Sequence, residues 1–177
     1  VIQRYQSRVT NKIDTIVLTI QYNGEGNPTV MDFNKNETGK PDYYFTYDAN
    51  NRLTQLVTMY GSSIEYLFKF YYEPGSDLIA YDTMYHTVGD GLPYSHWVRN
   101  KYTYDAKGRI SLLEVKSDFG ASFVLPYAYN VAGNVILIQG HPNDASGYDS
   151  KKSILSTHKI FQFLLRNYSA NNPTTAI

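Results

Sequence analysis

The chain has 177 residues, with sixteen Lys or Arg balanced by sixteen Asp or Glu, 18 Tyr and no Cys. That length suits one domain with a real core. Balanced charge supplies no field for nucleic acid or an anionic membrane surface, so neither is expected as a partner, and the lack of cysteine excludes disulfides, thiolate nucleophiles and cysteine zinc sites.

No apolar run approaches the roughly 20 residues that a helix needs to cross a bilayer. Abundant Tyr with frequent Thr, Val and Ile favours strands, so the expected class is all-β. A chain beginning at Val1 rather than Met reads as a trimmed or mature form, from which any signal peptide or lipid-anchor cysteine upstream would have been removed.

The first recognisable unit is IQYNGEGNPTVM, from Ile20. Asn23 is a residue type that opens a type I turn, and Gly26 stands three residues later, where the turn followed by a bulge requires a left-handed backbone. Strands are predicted at about 15–22 and 28–35. The glycines flanking Glu25 are not a phosphate loop, because the chain returns to a strand and not a helix. The second unit, FTYDANNRLTQL from Phe45, places Asp48 and Asn51 at the same two positions and predicts strands at about 41–47 and 52–59.

The third unit, FYYEPGSDLIAY from Phe70, has Ser76 where the left-handed residue belongs. Pro74-Gly75 just before it predicts a different turn, with Pro first and Gly second, between strands at about 63–72 and 77–84. The segment HTVGDGLPYSHW, residues 86–97, then intervenes. YTYDAKGRI, from Tyr102 to Ile110, is the clearest copy, with Asp105 and Gly108 in the turn and strands at about 96–104 and 109–116. YAYNVAGNVILI, from Tyr127, closes the series with Asn130 and Gly133 between strands at about 121–129 and 134–140.

The anchoring tyrosines Tyr22, Tyr47, Tyr72, Tyr104 and Tyr129 are separated by 25, 25, 32 and 25 residues, which marks a repeated structural unit. Five sequential hairpins make an antiparallel meander of about ten strands. Register puts Ile20, Phe45, Phe70, Tyr102 and Tyr127 on the anchor face with Pro28, Leu53, Leu78, Ile110 and Val135, as the core. Gln21, Thr46, Lys69, Lys101 and Thr103 face water, while Met31, Leu56, Tyr81, Leu113 and Ile138 form a second apolar row that something should cover. A twisted sheet of this size is expected to curl into a barrel or half-barrel, protecting its edges.

After the repeats (about 15–140) come the C-terminal loop and helix (141–177) of the same single domain, 1–177. HPNDASGYDSKKS is turn-rich, and Ile160, Phe161, Leu164 and Leu165 have helical spacing after a cap at Ser156 or Thr157, predicting one short amphipathic helix at about 157–167 that packs on the sheet. The terminal NNPTTAI reads as a chain cut before its natural end.

The motif at Tyr102 to Ile110, and nearly as closely that at Phe45 to Leu53, resembles the YD repeat of the Rhs and teneurin shell proteins. The whole arrangement, five hairpins followed by IFQFLLRNYSANNP, is similar to secreted Bacteroidetes lipoprotein domains of unknown function with a porin-like β fold. That resemblance covers nearly the whole chain. It implies an exported, extracytoplasmic domain of the cell envelope and brings no catalytic residues. The encapsulating role of the much longer Rhs shells is not carried over.

Asp48 and Asp105 suggest a carboxylate pair, but the first position of a tight turn explains each, and Arg52 and Arg109 read as their partners. The histidines His86, His96, His141 and His158 lack metal-ligand spacing, and Asn143, Asp144, Asp149 and Ser150 lack the cadence of a calcium loop, so no metal and no cofactor are expected. The 86–97 segment holds the seven residues by which one spacing exceeds the others, together with the single Trp. Its Asp90, Tyr94, His96 and Trp97 are the ligand-binding candidates, with a longer surface loop and a core Trp97 as the alternative.

Tyr rows also suit a sugar-stacking cleft, although core packing explains them. The favoured function is a non-enzymatic, exported binding or structural scaffold for a carbohydrate or protein (peptide) ligand. The alternative is a hydrolase with its site near loop 86–97, using a carboxylate such as Asp90. A membrane porin is disfavoured by Lys69 and Lys101, which fall mid-strand on the outward face.

Overall fold

Alternating apolar and polar residues broken at turn-forming pairs produce strands throughout the computed structural model, which describes residues 2–6, 13–35, 39–86, 96–138, 141–142, 147–153, 156, 158–165 and 168–174. The five expected hairpins are β2 (Ile13–Tyr22) with β3 (Pro28–Phe33), β4 (Asp42–Tyr47) with β5 (Leu53–Tyr60), β6 (Ser63–Tyr72) with β7 (Ile79–His86), β8 (His96–Tyr104) with β9 (Ile110–Ser117), and β10 (Ser122–Tyr129) with β11 (Val135–Ile138). β1 (Ile2–Gln6) pairs antiparallel with β2, and the short β12 (His141–Pro142) with β11. The result is an antiparallel meander whose strand order follows the chain from β1 to β12. The order is linear and no pairing among the described residues joins its two ends, so the expected closure into a barrel is not found.

Two compact units divide the chain, Val1–Asp77 with Asp82–Arg99, and Leu78–Tyr81 with Asn100–Ile177. The first is centred on Ile16, Met31, Phe45, Leu53, Leu56 and Phe70, all buried. The second buries Ile79, Tyr102, Ile110, Leu113 and Val135 together with Ile160 and Phe161 from the C-terminal segment.

The turns form as their residues dictate. The Gly108 N–H donates to the Asp105 carbonyl at 2.9 Å and the Asp105 N–H to the Arg109 carbonyl at 2.8 Å, and the hairpins at Asn23, Asp48 and Asn130 repeat both bonds. Gly108 has φ +72°, and Asn51, at the matching position, is the one non-glycine with positive φ among the described residues, at +58°. The third hairpin uses the other turn, as expected: Ser76 N–H donates to the Glu73 carbonyl at 3.1 Å, and Gly75 carries the positive φ.

One residue is inserted on the descending strand after the turns of the first, second and fifth hairpins. Gln21 faces Val30 while Tyr22 faces Pro28, and the same shift leaves Thr54 and Ile136 as the extra residues in their hairpins. Because a bulge reverses the parity of a strand, Met31 stands opposite Ile20 and Leu56 opposite Phe45. Met31, Leu56 and Ile138 of the supposed second apolar row therefore belong to the same face as the anchors, and Met31 and Leu56, like Leu113, are buried. Thr54 and Ser111 donate their hydroxyls to the Thr46 and Thr103 carbonyls, tying the bulged strand to its partner.

Two core expectations are corrected. Tyr22 is 52% exposed, and Leu78 is exposed while Ile79 is buried. The third turn is one residue longer than the others, which moves the position equivalent to Leu53 from Leu78 to Ile79. Gln21, Thr46, Lys69, Lys101 and Thr103 are exposed as expected.

The predicted helix shortens to α1, Gln162–Leu165, and residues 157, 166 and 167 of its expected span lie outside the described residues. Before it, Phe161 donates to the His158 carbonyl and Phe163 to that of Ile160, bonds that reach back only three residues. A segment this short pays the full nucleation cost of a helix. Burial of Ile160 and Phe161, and an edge contact of Phe163 with Tyr102 at 5.1 Å, fix its conformation instead, so the apolar face does pack on the sheet. Ser156 is not a cap. Its hydroxyl shares one proton between the Ser153 and Ala170 carbonyls, at 2.8 and 2.9 Å. Beyond α1, β14 (Asn171–Thr174) pairs with β13 (Gly147–Lys152) in a separate two-stranded sheet. No helix among the described residues is long and apolar enough to cross a membrane.

Candidate functional site

Asp105 and Arg109 of the fourth turn are engaged in architecture. Asp105 accepts backbone N–H bonds from Lys107 and Arg109 on one oxygen and the Arg109 guanidinium on the other, with Nε at 2.7 Å and Nη2 at 2.6 Å. The side-chain bond from Arg109 is the chief reason its carboxyl is held below the usual range. Asp48 and Arg52 repeat the arrangement, and there the backbone N–H of Arg52 is the leading cause. Each guanidinium also lies over the anchor tyrosine of the next hairpin, Arg52 at 4.8 Å from the Tyr72 ring centroid and Arg109 at 4.4 Å from that of Tyr129.

The anchor hydroxyls complete the linkage. Tyr47 donates to the carbonyl of Pro28, Tyr72 to Leu53, Tyr104 to Ile79 and Tyr129 to Ile110, at 2.6, 3.0, 2.7 and 2.6 Å. In every case the acceptor is the first residue of the preceding hairpin's descending strand. Tyr148, which the repeat pattern does not include, makes the same bond to Val135 at 2.6 Å. Burial raises the Tyr72 phenol to about 12 and pushes Tyr47 and Tyr129 upward as well. Of the seven extra residues in the 32-residue spacing, one is in the third turn and six lie between Ile79 and Tyr104.

Within the 86–97 segment, Asp90 and Tyr94 lie outside the described residues. His96 and Trp97 open β8 and are partly buried. The Arg99 guanidinium is 5.6 Å from the Trp97 ring and donates through Nε to the Thr83 hydroxyl at 3.3 Å, while His86, at the end of β7, packs its ring 5.2 Å from that of Tyr66. Among the described residues no three His, Asp or Glu side chains converge as a metal site.

A cleft of about 230 Å³ lies in the second unit, lined by Arg109, Gly133, Ser156, His158, Lys159, Gln162, Tyr168, Ser169 and Ala170. One wall is the strip Tyr168–Asn171, stitched to the fifth hairpin. Ala170 N–H donates to the Gly133 carbonyl, the Ser169 hydroxyl accepts the Val135 N–H at 3.1 Å, and Asn134 and Asn171 exchange two bonds at 3.0 and 2.8 Å. The opposite wall is the turn before α1, where His158 Nδ1 accepts the Ile160 N–H at 3.3 Å and Gln162 donates to the Lys159 carbonyl at 2.8 Å. With Nδ1 accepting, the neutral imidazole carries its proton on Nε2. Burial, and secondarily Lys159, lower the His158 pKa and favour that neutral form.

Sequence reasoning did not find this cleft. Arg109 is about fifty residues from His158 and Lys159 in the chain, and the helix predicted at about 157–167 does not include this His-Lys pair but begins at Gln162. Comparison with protein-family models and with curated proteins finds no match to the chain, so the geometry and the motif resemblance carry the functional reading.

Proposed function

We propose that this chain is a non-enzymatic β-repeat domain, exported to the cell envelope, that serves as a binding or structural scaffold for a carbohydrate or peptide. The observation that carries this reading is the continuous series of Tyr hydroxyl bonds from each hairpin to the one before it. Such nearest-neighbour coupling is the logic of repeat scaffolds, in which each unit is stabilised by its neighbours. It also absorbs the Asp and Arg side chains that would otherwise suggest acid-base chemistry. Export and envelope attachment rest on the resemblance to secreted lipoprotein domains.

Fractionation of the source cells with an antibody to this chain, combined with surface protease treatment, tests the location. Envelope recovery and protease access are expected, and recovery in the cytoplasm overturns it. Glycan and peptide arrays probed with the purified chain test the binding role, and specific retention by members of one class is expected.

A further inference from the structure

We propose that the cleft between the Tyr168–Asn171 strip and the turn at His158 binds a small anion about the size of one sugar, gripping its carboxylate or phosphate head group with Arg109, His158 and Lys159. This rests on reading the chain as a binding domain, and it names the ligand chemistry that such a domain takes at this place.

Three observations converge. First, two cationic side chains, Arg109 and Lys159, and the His158 imidazole line the cleft, and no carboxylate does. Asp105, the nearest acid in the hydrogen-bond network, occupies Nε and Nη2 of Arg109 and leaves Nη1 to donate elsewhere. No carboxylate among the described residues pairs with Lys159, and His158 has only Nδ1 engaged. Donors in excess of acceptors in one concave place favour an oxyanion, because charge-assisted N–H to oxygen bonds are the strongest polar contacts available to such side chains.

Second, two of the three donors are held in place before any ligand arrives. Arg109 is clamped by Asp105 below and the Tyr129 ring beside it, and His158 by the Ile160 N–H and the Phe161 ring 5.5 Å away. Prior ordering of this kind reduces the entropy lost on binding. Third, the space is small. About 230 Å³ falls below the range of roughly 300–1,000 Å³ usual for drug-sized ligands. With its amide nitrogen bonded to the Lys159 carbonyl, Gln162 keeps its amide oxygen to accept from a ligand hydroxyl.

Titration of the isotopically labelled 177-residue chain with glucuronate, glucose 6-phosphate and glucose, followed by amide chemical shifts, tests this. At least one of the two anions should saturate shifts at residues 156–170 and at Arg109, and glucose should bind at least about tenfold more weakly, since one charged contact is worth that factor or more. Which anion binds assigns the head group. Lys159→Gln, an exposed substitution, should weaken anion binding about tenfold, as should His158→Gln by removing the ring donor. Equal binding of glucose, shifts confined to other regions, undiminished binding by both variants, or no saturation by either anion at tens of millimolar each overturns the proposal. The cell-fractionation result is independent of this titration, so envelope location and anion recognition can fail separately.

Discussion

The Tyr129 hydroxyl donates to the Ile110 carbonyl at 2.6 Å while Arg109, the residue next to that acceptor, lies over the Tyr129 ring. One aromatic side chain thus holds the preceding hairpin through both its edge and its face, and Tyr72 does the same with Leu53 and Arg52.

Removing the hydroxyl and keeping the ring should isolate the first half of that contact. Tyr47→Phe, Tyr72→Phe and Tyr129→Phe are each expected to cost about 1 kcal/mol, rising toward about 3 where the carbonyl finds no new partner. Tyr22 makes no such bond among the described residues and is half exposed, so Tyr22→Phe should change stability by less than about 0.5 kcal/mol. Urea midpoints at constant m-value measure all four, and a Tyr22 effect equal to the others would refute the linkage.

Gly108 has φ +72° with nothing within 4 Å of where a Cβ would sit, so any cost of a side chain there comes from backbone conformation and not from crowding. Gly108→Ala should lose about 1–2 kcal/mol. Gly108→Asn should lose less, because Asn51 occupies the matching position of the second hairpin. Equal losses for Ala and Asn in chemical denaturation would contradict this account.

The bulge at Thr54 makes Leu56 a core residue, and Leu113 is buried as fully. Leu56→Ala and Leu113→Ala are expected to cost about 2–5 kcal/mol each, as for fully buried leucines. Losses below about 1 kcal/mol by thermal or urea unfolding would return these side chains to an outward row.

Stability should fall at both ends of the pH scale for opposite reasons. Asp48 and Asp105 have folded pKa values below their ordinary 3.8, so their contribution is present above that value and is lost as pH falls through the lower folded value. Asp48→Asn and Asp105→Asn should flatten the acid limb. The Tyr72 phenol is raised from 10.0 to about 12, so its contribution is complete below pH 10.0 and is lost as pH rises toward 12. Unfolding midpoints against pH check the first, and phenolate absorbance of wild type against Tyr72→Phe checks the second; a missing late-titrating tyrosine would contradict the burial.

The hairpins were readable from local rules. Asp48, Asp105, Asn23 and Asn130 open their turns, Gly26, Gly108 and Gly133 take the left-handed position, and Pro74-Gly75 marks the exception, because a turn's dihedral demands act on a few adjacent residues. Alternation then placed all ten strands. Local rules also explain the errors: counting by twos across Leu53 and Val135 ignored the inserted Thr54 and Ile136, and spacing alone called for a longer helix than α1.

Three things depended on residues distant in the chain. The carbonyl each tyrosine hydroxyl reaches is 19 residues earlier for Tyr47, Tyr72 and Tyr129 and 25 earlier for Tyr104. The sheet's open strand order is likewise a matter of which ends find partners. The cleft exists because Ala170 settles on Gly133 and the turn at His158 is held by burial of Phe161, bringing Lys159 into the wall that Arg109 also lines. Turn chemistry is written in neighbouring residues, whereas a concave surface is written in which faces the chain buries against each other.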